Sequence, residues 1–321
     1  MNGNIRFGIL SLIVAAATFA VALLIGNAYV FFAGYVVLQY IVLATAWNIL
    51  GGFTGYVNFG TAAFFALGAY STVLLHKTVS MLPLPVMMAV GGLISGLVGL
   101  GMGYLTLRLK GTFFSIATLA MAVVAQTLIT NWNFVGGSRG AYIIRPSVSP
   151  IFTGDYIQYL FVVMLLLSVI SVLIARSIQH SKLGYGFAAI RDDEVAAEAT
   201  GVPTLKLKLI ATALSGALMG MAGAPLPYYV TYLDPASGFS LSYAVNTIAM
   251  PLIGGTATWL GPVIGAVLLA TLQQVATVTI SSALSLLLVG VLLVVFVIAA
   301  PKGIVGWFSP RIQPNRPRPA E

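Results

Sequence analysis

Apolar residues in this chain run in long blocks separated by short polar punctuation. Blocks of helical length fall at about residues 8–25, 29–50, 61–75, 84–107, 112–130, 156–176, 209–230, 239–258, 260–280 and 283–300. Crossing the hydrocarbon of a bilayer takes about 20 consecutive apolar residues in helix. The pattern therefore predicts an all-α integral membrane protein, a polytopic bundle of 8–10 transmembrane helices with ten the preferred count. Two blocks are weaker than the rest. The run at 61–75 is short, and 239–258 begins polar and contains Pro251, Gly254 and Gly255, so each either crosses or re-enters. The first block follows Arg6 and passes through Gly26 and Asn27 into the next with no convincing cleavage site, which reads as a retained span rather than a signal peptide.

Composition agrees with the pattern. Hydrophobic residues make up 59% of the chain and charged residues 7%, against about 25% charged in soluble proteins. A chain so poor in charge cannot cover a water-facing surface, so its solvent is mostly membrane lipid. The net charge of +8 points to orientation rather than to nucleic acid, because the basic residues lie between and beyond the apolar blocks. Ten spans with a cytoplasmic N-terminus put Arg6, Arg108, Lys110, Arg176, Lys182, Arg191, Lys206, Lys208, Lys302, Arg311, Arg316 and Arg318 on the cytoplasmic side. Only Lys77, Arg139 and Arg145 stay outside. This is the asymmetry of the positive-inside rule, and it favours an even count with both termini cytoplasmic. One transmembrane domain is expected over 1–308, with a cytoplasmic loop at 176–208 and a basic, proline-rich tail at 309–321.

Glycine gathers at two places at membrane depth, from Leu50 to Gly60 and from Ile253 to Pro262. The groups of spans that hold them, 29–130 and 209–300, enter the membrane from opposite sides, the layout of an inverted repeat whose broken helices line a solute path. Irregular backbone in lipid leaves amides unsatisfied, so such segments are buried in protein or face water. Gly51, Gly52, Gly55, Gly254 and Gly255, with Asn58 and Asn246 beside them, are the candidate path residues. The plainer alternative is that these are turns, or small residues that let helices pack closely.

Several chemistries are missing. Cysteine is absent, and His76 and His180 have no partners at ligand spacing, which leaves no thiolate or imidazole metal site. No nucleophile–base pair lies at membrane depth, so the chain reads as non-catalytic. There is no phosphate-binding G-x-x-x-x-G-K-[ST] loop, so the chain does not hydrolyse ATP. The interiors of the apolar blocks carry no Asp, Glu, Lys or Arg, the groups that couple a carrier to an ion gradient. Two possibilities remain: a passive channel, or a pore subunit driven by another polypeptide.

The loop at 176–208 bears on that choice. Asp192 or Asp193 can cap a helix N-terminus, Gly201 can take the left-handed position at its end, and Pro203 stops continuation. The spacing predicts an alanine-rich helix of about two turns on the cytoplasmic side, too short to be stable alone and so expected to dock into something.

From Gly184 to Gly223 the sequence resembles the LivM-type permease subunits of branched-chain amino acid ABC importers. The matching stretches are Ala189-Ile190-Arg191-Asp192-Asp193-Glu194, Ala196-Ala197-Glu198-Ala199-Thr200-Gly201, Ser215-Gly216-Ala217 and Ala222-Gly223. Supporting blocks are Asn58-Phe59-Gly60, Ala63 to Tyr70, and Gly254-Gly255 followed by Gly261 to Ala266. The resemblance implies a half-pore in a bacterial inner membrane. Its implied partners are a second homologous permease, two ATP-binding subunits and a periplasmic solute-binding protein, with no cofactor of its own. It also implies that Arg191, Asp192, Asp193, Glu194, Glu198 and Gly201 belong to a coupling helix that meets an ATPase. Thr61, Arg139 and Ala257 stand where the family commonly has other residues, so urea or a short amide is an alternative to a hydrophobic amino acid as the solute.

Overall fold

The computed structural model describes residues 3–79, 82–109, 111–145, 155–279, 282–299 and 303–308. Lys110, Lys302, Arg311, Arg316, Arg318 and the 309–321 tail lie outside the described residues. The described residues are helical apart from short connections. The helices are α1 (Gly3–Ile25), α2 (Ala28–Thr54), α3 (Thr61–Thr78), α4 (Leu84–Thr106), α5 (Thr112–Thr130), α6 (Tyr156–Gln179), α7 (Lys182–Asp192), α8 (Glu194–Ala199), α9 (Thr204–Gly223), α10 (Leu226–Val230), α11 (Pro235–Gly238), α12 (Leu241–Gly254), α13 (Leu260–Thr279), α14 (Ser282–Ala299) and α15 (Gly303–Phe308). Two-residue strands β1 (Ala141–Tyr142) and β2 (Tyr232–Leu233) pair antiparallel, Ala141 opposite Leu233.

Seven segments among the described residues are long and apolar enough to cross a membrane unaided: Arg6–Ile25, Ala28–Thr54, Leu84–Thr106, Thr112–Thr130, Tyr156–Gln179, Thr204–Val230 and Leu260–Thr279. The bundle is that of a multi-pass membrane protein. The two weak blocks are helical but are not among the seven. α3 has 18 residues and rises about 27 Å. The block at 239–258 is not one helix: α12 has 14 residues with Pro251 inside and rises about 21 Å, less than the roughly 30 Å hydrocarbon thickness.

The core is built on α2, α3, α4, α6, α9 and α12. α4 lies along α9, and α2 touches α6, α9, α12 and α13. Small residues bring these backbones together. A Cβ at Gly68 would occupy the backbone of Gly220, and one at Gly220 would meet Ser95 Oγ and the carbonyl of Gly91. On α4, Gly92 and Gly96 face Ala217, and Gly99 and Gly103 face Thr212. In lipid such contacts replace the hydrophobic drive, because lipid tails are as apolar as leucine.

The two ends of the bundle differ in chemistry. At one end Lys77 Nζ donates to the carbonyl of Phe134 at 3.0 Å, Tyr232 Oη donates to the carbonyl of Arg139 at 3.0 Å, and the Arg145 guanidinium lies 5.5 Å from the Phe32 ring. The three basic residues assigned to the outer side therefore share one end. The opposite end collects Arg176, Arg191 and Lys208 with the α6–α9 connection.

Candidate functional site

The connection between α6 and α9 holds two helices rather than one. Ser181 caps α7, its Oγ accepting from the Gly184 N–H at 3.4 Å, and Phe187 and Ile190 bury one face of α7 against the bundle. α8 then begins at Glu194. Of the two candidate caps, Asp193 does the work: its Oδ1 accepts from the N–H groups of Val195 at 2.9 Å and Ala196 at 3.1 Å. The helix ends as expected. Gly201 has φ +88°, its N–H donates to Glu198 O at 2.9 Å, and the Val202 N–H donates to Ala197 O at 3.0 Å. This pair of bonds is a Schellman ending, which needs the left-handed residue that glycine supplies.

The structure divides the expected coupling residues. Arg191 and Asp192, expected on the same helix as Glu198, instead end α7, and all three face solvent. Arg191 Nε pairs with Asp192 Oδ1 at 3.5 Å, and Glu198 Oε1 accepts from Thr204 Oγ1 at 2.5 Å. Val195, 64% exposed, adds an apolar tip, and Tyr185 stands out from α7 at 74%. Asp193 is spent on capping. Glu194 turns inward.

What Glu194 meets corrects the expectation that crossing segments are free of charge. That reading began the span at residue 209, but α9 starts at Thr204 and carries Lys206 and Lys208. Lys208 is buried, 3% exposed. Its Nζ donates to Glu194 Oε1 at 2.6 Å, to the carbonyl of Leu107 at 3.0 Å and to Tyr56 Oη at 3.2 Å, so all three ammonium protons are placed. The ammonium also lies 4.7 Å from the Tyr56 ring. The Tyr56 hydroxyl donates to the other carboxylate oxygen, Glu194 Oε2. A buried charge is tolerated only when its hydrogen-bonding capacity is met, and here it is.

Tyr56 belongs to the first glycine-rich segment. α2 ends where Gly55 turns left-handed at φ +80°, and the Arg191 side chain lies beside the exposed Gly55, with Cγ 3.3 Å from where a Cβ would stand. Asn58 holds this segment together: its Oδ1 accepts from the Gly60 N–H at 2.7 Å and its carbonyl accepts from Trp47 Nε1 at 2.9 Å. The second segment lies alongside. Asn48 Nδ2 donates to Thr258 O at 3.4 Å, and the Thr256 carbonyl sits 2.7 Å from a Cβ built on Gly52. Gly51 faces the Trp47 ring, Gly254 meets the backbone of Gly261, and Gly255, at φ +118°, meets Gly303. Asn246 bridges three helices, donating from Nδ2 to Tyr40 Oη at 3.1 Å and accepting at Oδ1 from Gln273 Nε2 at 3.0 Å. The two glycine-rich segments, read from sequence as the paired breaks of an inverted repeat, are thus in contact at one end of the bundle.

Lys208 and Tyr56 were not singled out from sequence. The signal for Lys208 was its spacing: it shares a helical face with Thr204, Ala211, Thr212 and Ser215, all buried, whereas Lys206 is exposed on another face.

A family model described as "Branched-chain amino acid transport system / permease component" matches residues 29–297, from α2 into α14. The chain belongs to this permease family. The permease is 27% identical over 303 residues to the high-affinity branched-chain amino acid transport system permease protein LivM of Salmonella typhimurium, covering 85% of the permease and 69% of that relative. It is 26% identical over 298 residues to the Escherichia coli protein of the same name, with the same coverage. A probable branched-chain amino acid transport permease protein LivH of Methanocaldococcus jannaschii is 26% identical over 271 residues, covering 79% of the permease and 84% of the relative. No solved structure matches the permease. The matched range contains both glycine-rich segments, α7, α8 and Lys208.

Proposed function

We propose that this permease is the membrane subunit of an ABC importer that passes branched-chain or other hydrophobic amino acids across a bacterial plasma membrane. Separate ATP-binding subunits supply the energy, a second homologous permease completes the pore, and a periplasmic binding protein delivers the solute. Both termini, the 309–321 tail and α8 are cytoplasmic in this reading, and residues 1–308 act as one permease domain. The subunit itself carries out no chemistry.

The observation that carries the reading is α8, a helix of six residues capped at both ends. It stands at the basic end of the bundle with Val195 and Glu198 on its open side, next to Arg191 and Asp192 at the end of α7. So short a helix gains nothing from propensity alone, and the capping fixes a shape that a partner can receive. We assign that side to contact with an ATP-binding subunit. The solute path is placed beside Gly51, Gly52, Gly55 and Asn58 and beside Asn246, Gly254 and Gly255, because the two helix breaks adjoin there and α12 stops short of a full crossing.

Reconstitution in liposomes tests the reading. Uptake of labelled leucine against its gradient is expected only with both permeases, the ATP-binding subunits, the binding protein and ATP present. Flux through the permease alone would make it a passive channel, and uptake of urea or acetamide in preference to leucine would reassign the solute.

A further inference from the structure

We propose that Lys208, Glu194 and Tyr56 form a positioning clasp that makes α8 move as one body with the first helix break and with the end of α4. The inference rests on the reading of α8 as the ATPase-facing helix and adds the route by which its displacement enters the membrane.

Four elements converge on one ammonium. Glu194 is the first residue of α8, Lys208 lies in the second turn of α9, Tyr56 follows the left-handed Gly55 after α2, and Leu107 closes α4. The three acceptors of Lys208 Nζ come from three of these elements, at 2.6, 3.0 and 3.2 Å. Glu194 and Tyr56 are bonded to each other as well, so the cluster is a closed triangle rather than a chain. Among the described residues the other ion pair is Arg191–Asp192, between sequence neighbours on the surface. Lys208–Glu194 is the pair shielded from water, with side-chain exposures of 4% and 13%. Shielded charge pairs are screened little by salt and resist separation.

The chain already joins α8 to α9 through four residues. The clasp adds two connections that the chain does not supply, one to the 55–60 segment and one to the α4 end. A push on α8 therefore reaches the break in α2–α3 and the α4–α9 pair together, without an intervening flexible link.

The test uses the complete importer in liposomes and reads solute transported per ATP hydrolysed, a ratio that a mere shortage of folded complex leaves unchanged. Because the chain has no cysteine, Val195→Cys gives a single thiol for cross-linking α8 to a cysteine placed in the ATP-binding subunit. With Lys208→Met the cross-link is expected to persist while the transport ratio falls at least about fivefold. The neutral pair Lys208→Met with Glu194→Gln removes both charges and guards against misfolding of the single variant. It too is expected to transport poorly per ATP, whereas Lys208→Arg recovers the ratio. A persisting cross-link with an unchanged ratio in both charge-removing variants overturns the clasp and leaves the docking of α8 standing. Failure of the cross-link with Lys208 intact overturns both.

Discussion

Trp259 donates its backbone N–H to Gln179 Oε1 at 2.8 Å, which fastens the last residue of α6 to the second glycine-rich segment. Beside it the Arg176 guanidinium lies 3.9 Å from the Phe7 ring and 5.4 Å from that of Trp259, and Phe7 and Trp259 meet edge to face at 4.9 Å. The α6–α9 connection is thus anchored to one break at its start, through Gln179, and to the other near its end, through Glu194. Gln179→Leu leaves the Trp259 N–H without its acceptor, at a cost of about 1–3 kcal/mol. Faster hydrogen exchange across 255–261, with α8 unaffected, is the expected result.

Removing one partner of the Lys208–Glu194 pair strands the other. Lys208→Met is expected to lower stability by about 3–5 kcal/mol, and the double change with Glu194→Gln by clearly less. Unfolding in mild detergent with increasing dodecyl sulfate measures both. Equal losses would mean that the carboxylate does not need the ammonium.

α8 depends on its two ends. Asp193→Ala removes two hydrogen bonds to the first turn and costs about 1 kcal/mol, and Gly201→Val forces a branched residue to φ +88° at about 1–2 kcal/mol. Both changes should weaken retention of the ATP-binding subunits on an affinity column while the permease still inserts in the membrane. Normal retention with either would argue that α8 has no partner there.

Close backbone contact predicts a sharp contrast between glycines. Gly220→Val puts a Cβ within 2.5 Å of both Ser95 Oγ and Gly91 O, an overpacking cost of at least about 1–3 kcal/mol. Gly101→Ala, where nothing lies within 4 Å, should be neutral or slightly stabilising. Thermal aggregation midpoints of the detergent-solubilised variants separate the two cases.

Asp234 offers a pH signature at the other end of the bundle. Burial works against its ionisation, but the N–H and hydroxyl of Ser237 and nearby backbone amides outweigh it, holding the carboxyl below the usual carboxylate range. A lowered folded pKa stabilises the fold above the unfolded value and loses that contribution as pH falls through the folded one. Stability should therefore decline on acidification below about pH 4, and Asp234→Asn should flatten that decline.

Most of the bundle was legible as runs of apolar residues, because the length of a run sets what can cross a bilayer. The blocks at 112–130 and 260–280 differ from α5 and α13 by at most one residue. The grouping of Lys77, Arg139 and Arg145 was legible too, since all three gather at one end of the bundle. What escaped was pairing across distance. Lys208 reads as the border of an apolar block until Glu194, 14 positions earlier, is seen to fold back onto it. The α7 helix was missed because Phe187 and Ile190 are its only fully buried positions, too few to mark a period. The glycine segments were recognised, but nothing in a linear sequence says that 50–60 and 253–262 touch.

Gly254, Gly261 and Gly265 bring α12 and α13 together with no side chain between them. Two such surfaces cannot come nearer, and the Asn246–Gln273 hydrogen bond ties the same two helices again further along. With a backbone contact at one point and a side-chain tie at another, α12 and α13 are seamed into a single slab, so a displacement of either carries the other with it.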